Sequence, residues 1–339
     1  MIEVSNLIIN VNEKSNIPLF GLDFIGILDR GTNLLEVKPI TLCNLRCKYC
    51  FVHAGDYINN FILKEKYIIS WLKYALKYKS TKDIEIHIAP YGEFFLYDEY
   101  LRLIRDLKKI PQVKVISIQT NGTLLDKKKI MDLEKVGLTR LNISFNSLDQ
   151  SIAQYLSDDP NYSVEKMLNI FEMVLKSSID LLIAPIWFFG VNDNEIIKII
   201  QLAKEYQRKG HSGDKFRLGI QNYLIYKTGR KLRKIRQRDF GYFYKRLADL
   251  EKKYNLKLKL GPKDFNIHPA HPITPPVERD EKIKVQIVSK GRTAKEWIGR
   301  FNEKWAVKVL SKISLKVGAT VHANVIKRKT DENLITAWI

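Results

Sequence analysis

The sequence predicts an α/β chain, a partial (β/α)6 TIM-type barrel, followed by a small all-β barrel. Three observations carry this expectation. Six strand-like runs each precede a helix-like run, which implies parallel pairing because right-handed crossovers are the easy way to join such units. After Val277 the pattern changes to short alternating runs at regular spacing, as in a small barrel. All three cysteines of the 339-residue chain fall just after the first of the six strands. The alternation by itself fits a doubly wound sheet equally well, and in both architectures the C-terminal strand ends share the face where sites assemble.

Residues 1–33 hold short strands or loops, Val4–Val11 and Ile17–Leu28, punctuated by Gly21, Gly26 and Gly31. They read as an N-terminal extension packed on the main domain, 34–261. That domain opens with strand Leu34–Ile40, which exits into the cysteines. Helix Lys64–Tyr78 puts Ile68, Trp71, Leu72, Ala75 and Leu76 on one face. Strand Ile84–Ala89 ends in Pro90-Tyr91-Gly92-Glu93, and a helix near Tyr97–Lys108 leads to strand Val113–Ile118 and the turn Thr120-Asn121-Gly122-Thr123. Helix Asp126–Val136 stops at Gly137, a C-cap signal. Strand Leu141–Phe145 exits into Asn146, and a helix near Val164–Lys176 precedes strand Leu181–Trp187. Asn192-Asp193-Asn194-Glu195 reads as a capping box for a helix closing at Gly210. The sixth strand, Phe216–Gln221, passes Tyr223 and a basic segment to helix Phe240–Tyr254. Residues 262–276, rich in proline with His268 and His271, read as a linker. Strands Lys282–Val288, Trp305–Leu310, Thr320–Ile326 and Leu334–Trp338 make up the barrel, 277–339.

Composition bounds the function. At 45% hydrophobic residues the chain can build a sizeable core, and no uninterrupted apolar run approaches the roughly 18 residues of a membrane span. With no recognisable signal segment, the expectation is a cytoplasmic protein in a reducing compartment. Fifty-seven Lys and Arg against 37 Asp and Glu give a net charge of +20, a field that attracts polyanions. Heat-adapted chains also drift basic, so the distribution decides. Residues 227–238 read K-T-G-R-K-L-R-K-I-R-Q-R, seven basic residues with no acid between them. That favours phosphate contact through Lys227, Arg230, Lys231, Arg233, Lys234, Arg236 and Arg238 over a merely solvated face.

The cysteines are spaced C-x3-C-x2-C at Cys43, Cys47 and Cys50. Three thiolates in eight residues suit one soft metal centre. His53 would complete a Cys3His zinc site, whereas a cubane iron–sulfur cluster held by three cysteines leaves one iron open. Structural zinc usually pairs ligands from two knuckles, while this cluster is continuous and opens a long β/α alternation. The spacing, with Tyr49 before the last cysteine, resembles the signature of the radical SAM superfamily. The resemblance implies one [4Fe-4S] cluster on the three cysteines. It further implies an S-adenosylmethionine that chelates the open iron and is split by a cluster electron into methionine and a 5′-deoxyadenosyl radical, and an electron donor such as ferredoxin or flavodoxin.

The same resemblance assigns roles at the strand ends. Gly92-Glu93 is similar to the superfamily's G-G-E element, which meets the methionine amino group, with Tyr91 replacing the first glycine. Thr120-Asn121-Gly122-Thr123-Leu124-Leu125 resembles the T-N-G-T-L-L element, and is also an Asx turn with glycine at positive φ. Ser144 and Asn146 fall where the family's fourth strand offers polar groups to ribose and carboxylate, and Ser144 faces opposite to Ile143 and Phe145. Tyr49 and Tyr223 complete the cofactor set. No further cysteines exist for a second cluster or a methyl-carrying thiol, which leaves hydrogen abstraction followed by a transformation that the sequence does not specify.

The C-terminal barrel looks like a TRAM domain, an OB-like module of RNA-modifying enzymes. It carries 14 Lys and Arg against 7 Asp and Glu, with Trp297, Phe301, Trp305 and Trp338 nearby, a combination that suits phosphates and unstacked bases, although core packing is the alternative for at least half of the tryptophans. The expected function is therefore a radical SAM enzyme that modifies RNA, with tRNA as the favoured substrate. The alternatives are a radical SAM enzyme acting on a protein, peptide or small metabolite, and a non-catalytic, zinc-stabilised RNA-binding protein.

Overall fold

The structure is a computed structural model that describes residues 7–233, 235–329 and 332–339. It divides into two compact units. The first comprises Met1–Cys43, Gly55–Ile116 and Ile267–Ile339, and the second Asn44–Ala54 and Ser117–Asn266.

In the first unit, β1 (Leu7–Val11) pairs in parallel with β4 (Asn59–Leu63). β2 (Gly26–Asp29) pairs antiparallel with β3 (Leu34–Lys38), and β3 pairs in parallel with β5 (Ile84–Ile88). Helices α1 (Glu65–Leu76) and α2 (Tyr100–Lys108) bury Ile68, Leu72 and Leu76, and Leu103, Ile104 and Leu107. These are the i, i+3, i+4 stripes that make a helix amphipathic. β6 (Val113–Thr120) enters the second unit at Ser117.

There α3 (Lys127–Lys135), β7 (Arg140–Ile143), α4 (Gln150–Ser157), α5 (Val164–Lys176), β8 (Asp180–Ile183) and β9 (Ile186–Trp187) follow. Next come α6 (Asp193–Arg208), β10 (Phe216–Leu218), β11 (Gln221–Asn222) and α7 (Phe240–Tyr254). β6 pairs with β7, β7 with β8 and β8 with β10, all in parallel, and β9 with β11 likewise. The six expected strands are thus β3, β5, β6, β7, β8 and β10. The expected strand Leu181–Trp187 is interrupted because Pro185 has no N–H for the ladder. Helix α4 was not expected.

Back in the first unit, β12 (Lys282–Lys290), β13 (Glu296–Phe301), β14 (Trp305–Leu310), β15 (Thr320–Lys329) and β16 (Glu332–Trp338) close a five-stranded barrel in the order β12-β13-β14-β16-β15. Strand β13 is not among the expected strands. Trp297 and Trp305 lie buried in this unit, so neither offers a face to a base. Arg292, on the β12–β13 turn, lies 4.3 Å from the Phe24 ring and near Tyr57 and Tyr91, with Glu296 at 2.9 Å. The stretch expected as a linker is tied down from His268 onward. The His268 N–H donates to Asn33 Oδ1 at 3.0 Å, and the His268 ring meets Asp83 at 2.8 Å.

The most buried ion pair of the unit sits beneath this stretch. Lys79 and Asp29 meet at 2.6 Å with both side chains fully buried. Lys79 also donates to the carbonyls of Thr32 and His271, and Asp29 accepts from the Ile273 N–H at 2.7 Å. Removing one partner strands the other charge in the interior. Lys79→Met is therefore expected to destabilise the protein by about 3–5 kcal/mol in urea unfolding at neutral pH, and Asp29→Asn combined with Lys79→Met by less than the single change.

Candidate active site

The loop 44–54 that carries Cys47 and Cys50 has little regular structure, and the rest of the second unit holds it along its length, including the Lys48 N–H, which donates to Leu156 O at 3.0 Å. At its start, Asn44 and the turn after β6 interlock. Asn121 Nδ2 donates to Asn44 Oδ1 at 3.0 Å, Asn44 Nδ2 donates to Thr123 Oγ1 at 2.9 Å, and Asn121 Oδ1 accepts from the Thr123 N–H at 2.9 Å. In its middle, the Tyr49 hydroxyl accepts from Asn146 Nδ2 at 2.6 Å, while Asn146 Oδ1 accepts from the Ile186 N–H at 2.8 Å. At its end, Arg230 gathers the loop's carbonyls. Its N–H donates to Cys50 O at 2.8 Å, Nε to Cys47 O at 2.8 Å and Nη2 to Ala54 O at 2.7 Å. Gly229 packs so tightly on Phe51 that a Cβ would lie 2.7 Å from its backbone, which only glycine avoids.

Cys47, Tyr49, Asn121, Ser144 and Asn146 line one narrow cleft, with Leu45, Ala153, Leu156, Ser157 and Tyr162. Four of the seven expected cofactor residues therefore converge with a cysteine. Ser144 Oγ accepts from Gln119 Nε2 at 3.0 Å, and Phe145 turns away to pack on Phe171. Tyr223 does not reach the cleft. It is buried against Phe188 with its hydroxyl accepting from the Leu232 N–H at 3.1 Å, and Tyr49 packs on that cluster. In the first unit, after β5, Gly92 lies against Leu42, whose carbonyl oxygen would be 2.0 Å from an added Cβ. The Glu93 N–H donates to that same oxygen at 2.7 Å, and the buried Glu93 carboxylate accepts from the Phe95 N–H at 3.1 Å.

Two expected roles are corrected. Arg230 does not face a phosphate, because its guanidinium is engaged by the cysteine loop. Asn192 and Glu195 form no capping box. The Asn192 side chain instead bonds Phe188 N–H, Ile186 O and Asn146 O, and Glu195 Oε2 accepts from Ser147 Oγ and from the N–H groups of Leu148 and Asp149. Burial works against the Glu195 charge, but Lys198 and these donors outweigh it and hold the carboxyl below its usual range. Both residues thereby brace the loop beyond β7. The capping signature concealed this, since the same residue types serve both ends. Lys227, Lys231, Arg233, Arg236 and Arg238 are exposed, and Lys234 lies outside the described residues.

All three cysteines are half-buried and form no disulfide. Burial, then the neighbouring Cys50, pushes the Cys47 thiol up to about 12, with Arg230 opposing. A bare thiolate is thus unfavourable there, and iron would supply the missing positive charge, so this donor fits a metal cluster. Among the described residues no three His, Cys, Asp or Glu side chains are already gathered as a metal-binding set, and the His53 ring meets Thr228 O at 3.3 Å.

The model of the radical SAM superfamily matches residues 37–203, the stretch that begins in β3 and ends in α6. The chain belongs to the radical SAM superfamily. An uncharacterized protein of Methanocaldococcus jannaschii is 33% identical over 350 residues, 97% of this chain and 80% of that one. The GTP 3′,8-cyclase of Clostridium acetobutylicum is 29% identical over 180 residues, 52% of this chain and 54% of the cyclase. Among solved structures, Streptococcus suis SuiB bound to precursor peptide SuiA gives a TM-score of 0.52 at 17% identity, covering 73% of this chain and 49% of SuiB. SuiB bound to S-adenosylmethionine gives 0.50 at 17% identity, covering 74% and 52%. The chain thus spans about half the length of the cyclase and of SuiB. It is a radical SAM enzyme of α/β fold with a parallel sheet and a five-stranded barrel, using a [4Fe-4S] cluster and S-adenosylmethionine. When bound, the cluster supplies the electron for cleaving the sulfonium. Among the described residues no helix is long and apolar enough to cross a membrane.

Arg230 offers a direct test. Arg230→Met is expected to cost about tenfold in resistance of the reconstituted cluster to a chelator, read as iron per chain. Arg230→Lys, which keeps the charge but not the planar fork, is expected to fall between.

Proposed function

We propose that this radical SAM enzyme modifies RNA, with tRNA as the favoured substrate. Cys43, Cys47 and Cys50 hold the cluster, and Tyr49, Gly92, Glu93, Asn121, Ser144 and Asn146 serve S-adenosylmethionine on a partial (β/α)6 barrel. Ferredoxin or flavodoxin supplies the electron. The observation that carries the RNA reading is the exposed basic segment, Lys227, Lys231, Arg233, Arg236 and Arg238, which starts where Gly229 and Arg230 touch the cysteine loop. Nothing acidic interrupts it. Cations in that number gain from releasing the counterions of a phosphate backbone. The C-terminal barrel, read as TRAM-like, adds exposed Lys282, Lys284 and His322 on the paired strands β12 and β15.

A second reading rests on the likeness to GTP 3′,8-cyclases, since the same cations suit the triphosphate of a free nucleotide. The test is RNA binding against salt for the Lys227→Ser, Lys231→Ser, Arg233→Ser, Arg236→Ser quadruple variant, which spares Arg230. The log–log salt slope is expected to fall by about 3 units, at roughly 0.7 per lost contact, with uncoupled cleavage of S-adenosylmethionine unchanged. An unaltered slope rejects the RNA reading, and displacement of RNA by equimolar GTP favours the nucleotide.

A further inference from the structure

The basic segment runs directly into α7, whose first residues are Phe240-Gly241-Tyr242-Phe243-Tyr244. Of the four rings only Phe243 is buried; Phe240 and Tyr244 remain 49% and 42% exposed. One turn apart on the helix, they hold their rings 6.0 Å apart and nearly parallel, at 27°. Large rings left in water forgo burial worth about 1.5–3 kcal/mol each, which is a reason to ask what covers them.

Beside them lies a cavity of about 310 Å³, between α7 and the chain around β11. That is the low end of ligand pockets, about 300–1,000 Å³, and room for one planar ring system. Its walls include Leu224, Leu247, Leu258 and Leu260. Asn222 also lines it and is only 9% exposed. Its amide nitrogen donates to Arg238 O at 2.9 Å, but its Oδ1 has no hydrogen-bond partner among the described residues. A buried carbonyl oxygen without a donor costs stability unless a ligand satisfies it. The rim is cationic. Lys259 lines the pocket with its ammonium 5.9 Å from the Tyr244 ring, while Arg238, just before α7, has its guanidinium 5.2 Å from the Tyr242 ring, outside the pocket lining.

We propose that this pocket is a nucleobase platform, on which one unstacked base of the RNA lies against Phe240 and Tyr244 and offers an amino or ring N–H to Asn222, while its phosphate meets Lys259. The inference rests on the RNA reading above and names the part of the surface that takes a base. It puts the pairing of aromatic and basic groups on α7 instead of on the barrel, where Trp297 and Trp305 are buried. An apolar protein partner would have no use for the cations, and a bare polyanion none for the rings.

The full, cluster-loaded chain is titrated with a short single-stranded RNA oligonucleotide and with the same sequence as a duplex. Phe240→Ala with Tyr244→Ala is expected to weaken single-strand binding about tenfold or more with the salt slope unchanged, because stacking and not charge is lost. Phe240→Trp is expected to keep the affinity and to show indole quenching on binding. Unchanged affinity in the double alanine variant, equal affinity for duplex and single strand, or displacement of the oligonucleotide by equimolar GMP overturns the platform. If the alanine variant is silent while the lysine and arginine variants change the slope, only the platform fails; if both are silent, the RNA reading has failed first.

Discussion

The arrangement depends on the grip that the second unit has on the cysteine loop. A segment with few backbone hydrogen bonds of its own must find partners for its carbonyls elsewhere, and a guanidinium, with five donors in a fixed plane, is suited to collect several. Arg230 takes Cys47 O and Ala54 O through its side chain and Cys50 O through its backbone. Asn121, directly after β6, and Asn146, a short step beyond the end of β7, hold it as well. The loop is thus positioned by groups after β6 and β7, which are neighbours in one sheet, and after β11, which pairs with β9. Asn192 and Glu195 brace the same region from α6.

Much of this was legible in the chain. Strand alternation located β3, β5, β6, β7, β8 and β10 because apolar periodicity reports burial on a sheet, and the polar residues at their exits, Asn121, Ser144 and Asn146, met at one cleft. What failed did so for definable reasons. A run of basic residues states charge but not direction, so Arg230 looked like its neighbours although it faces inward. Asn and Glu at capping spacing cap a helix or brace a loop, and only tertiary contacts distinguish the two. Tyr223 sits at a strand end yet its ring packs inward, since β-exit geometry does not fix the direction of a side chain. For the barrel tryptophans the alternation left both base stacking and core packing open, because short barrel strands show both faces in one pattern, and Trp297 and Trp305 take the core.

The barrel is less of an appendage than its composition suggests. Arg292 reaches from the β12–β13 turn into a ring of Phe24, Tyr57 and Tyr91, the last being the neighbour of Gly92. The guanidinium there is partnered by Glu296 and flanked by π faces, the environment that makes a buried arginine tolerable.

One contact bears on how the molecule is made. The Asp29 N–H donates to Asn333 Oδ1, and Asn333 Nδ2 donates to Ile27 O, both in the interior and spanning 304 and 306 residues along the chain. Strand β2 therefore keeps polar backbone uncovered until β16 exists. On the ribosome the first unit has to wait until Asn333 has been made, while the second, contiguous from Ser117 to Asn266 apart from the cysteine loop, is free to condense earlier. Synthesis then imposes an order, with the grip on the cysteine loop assembled before the barrel closes.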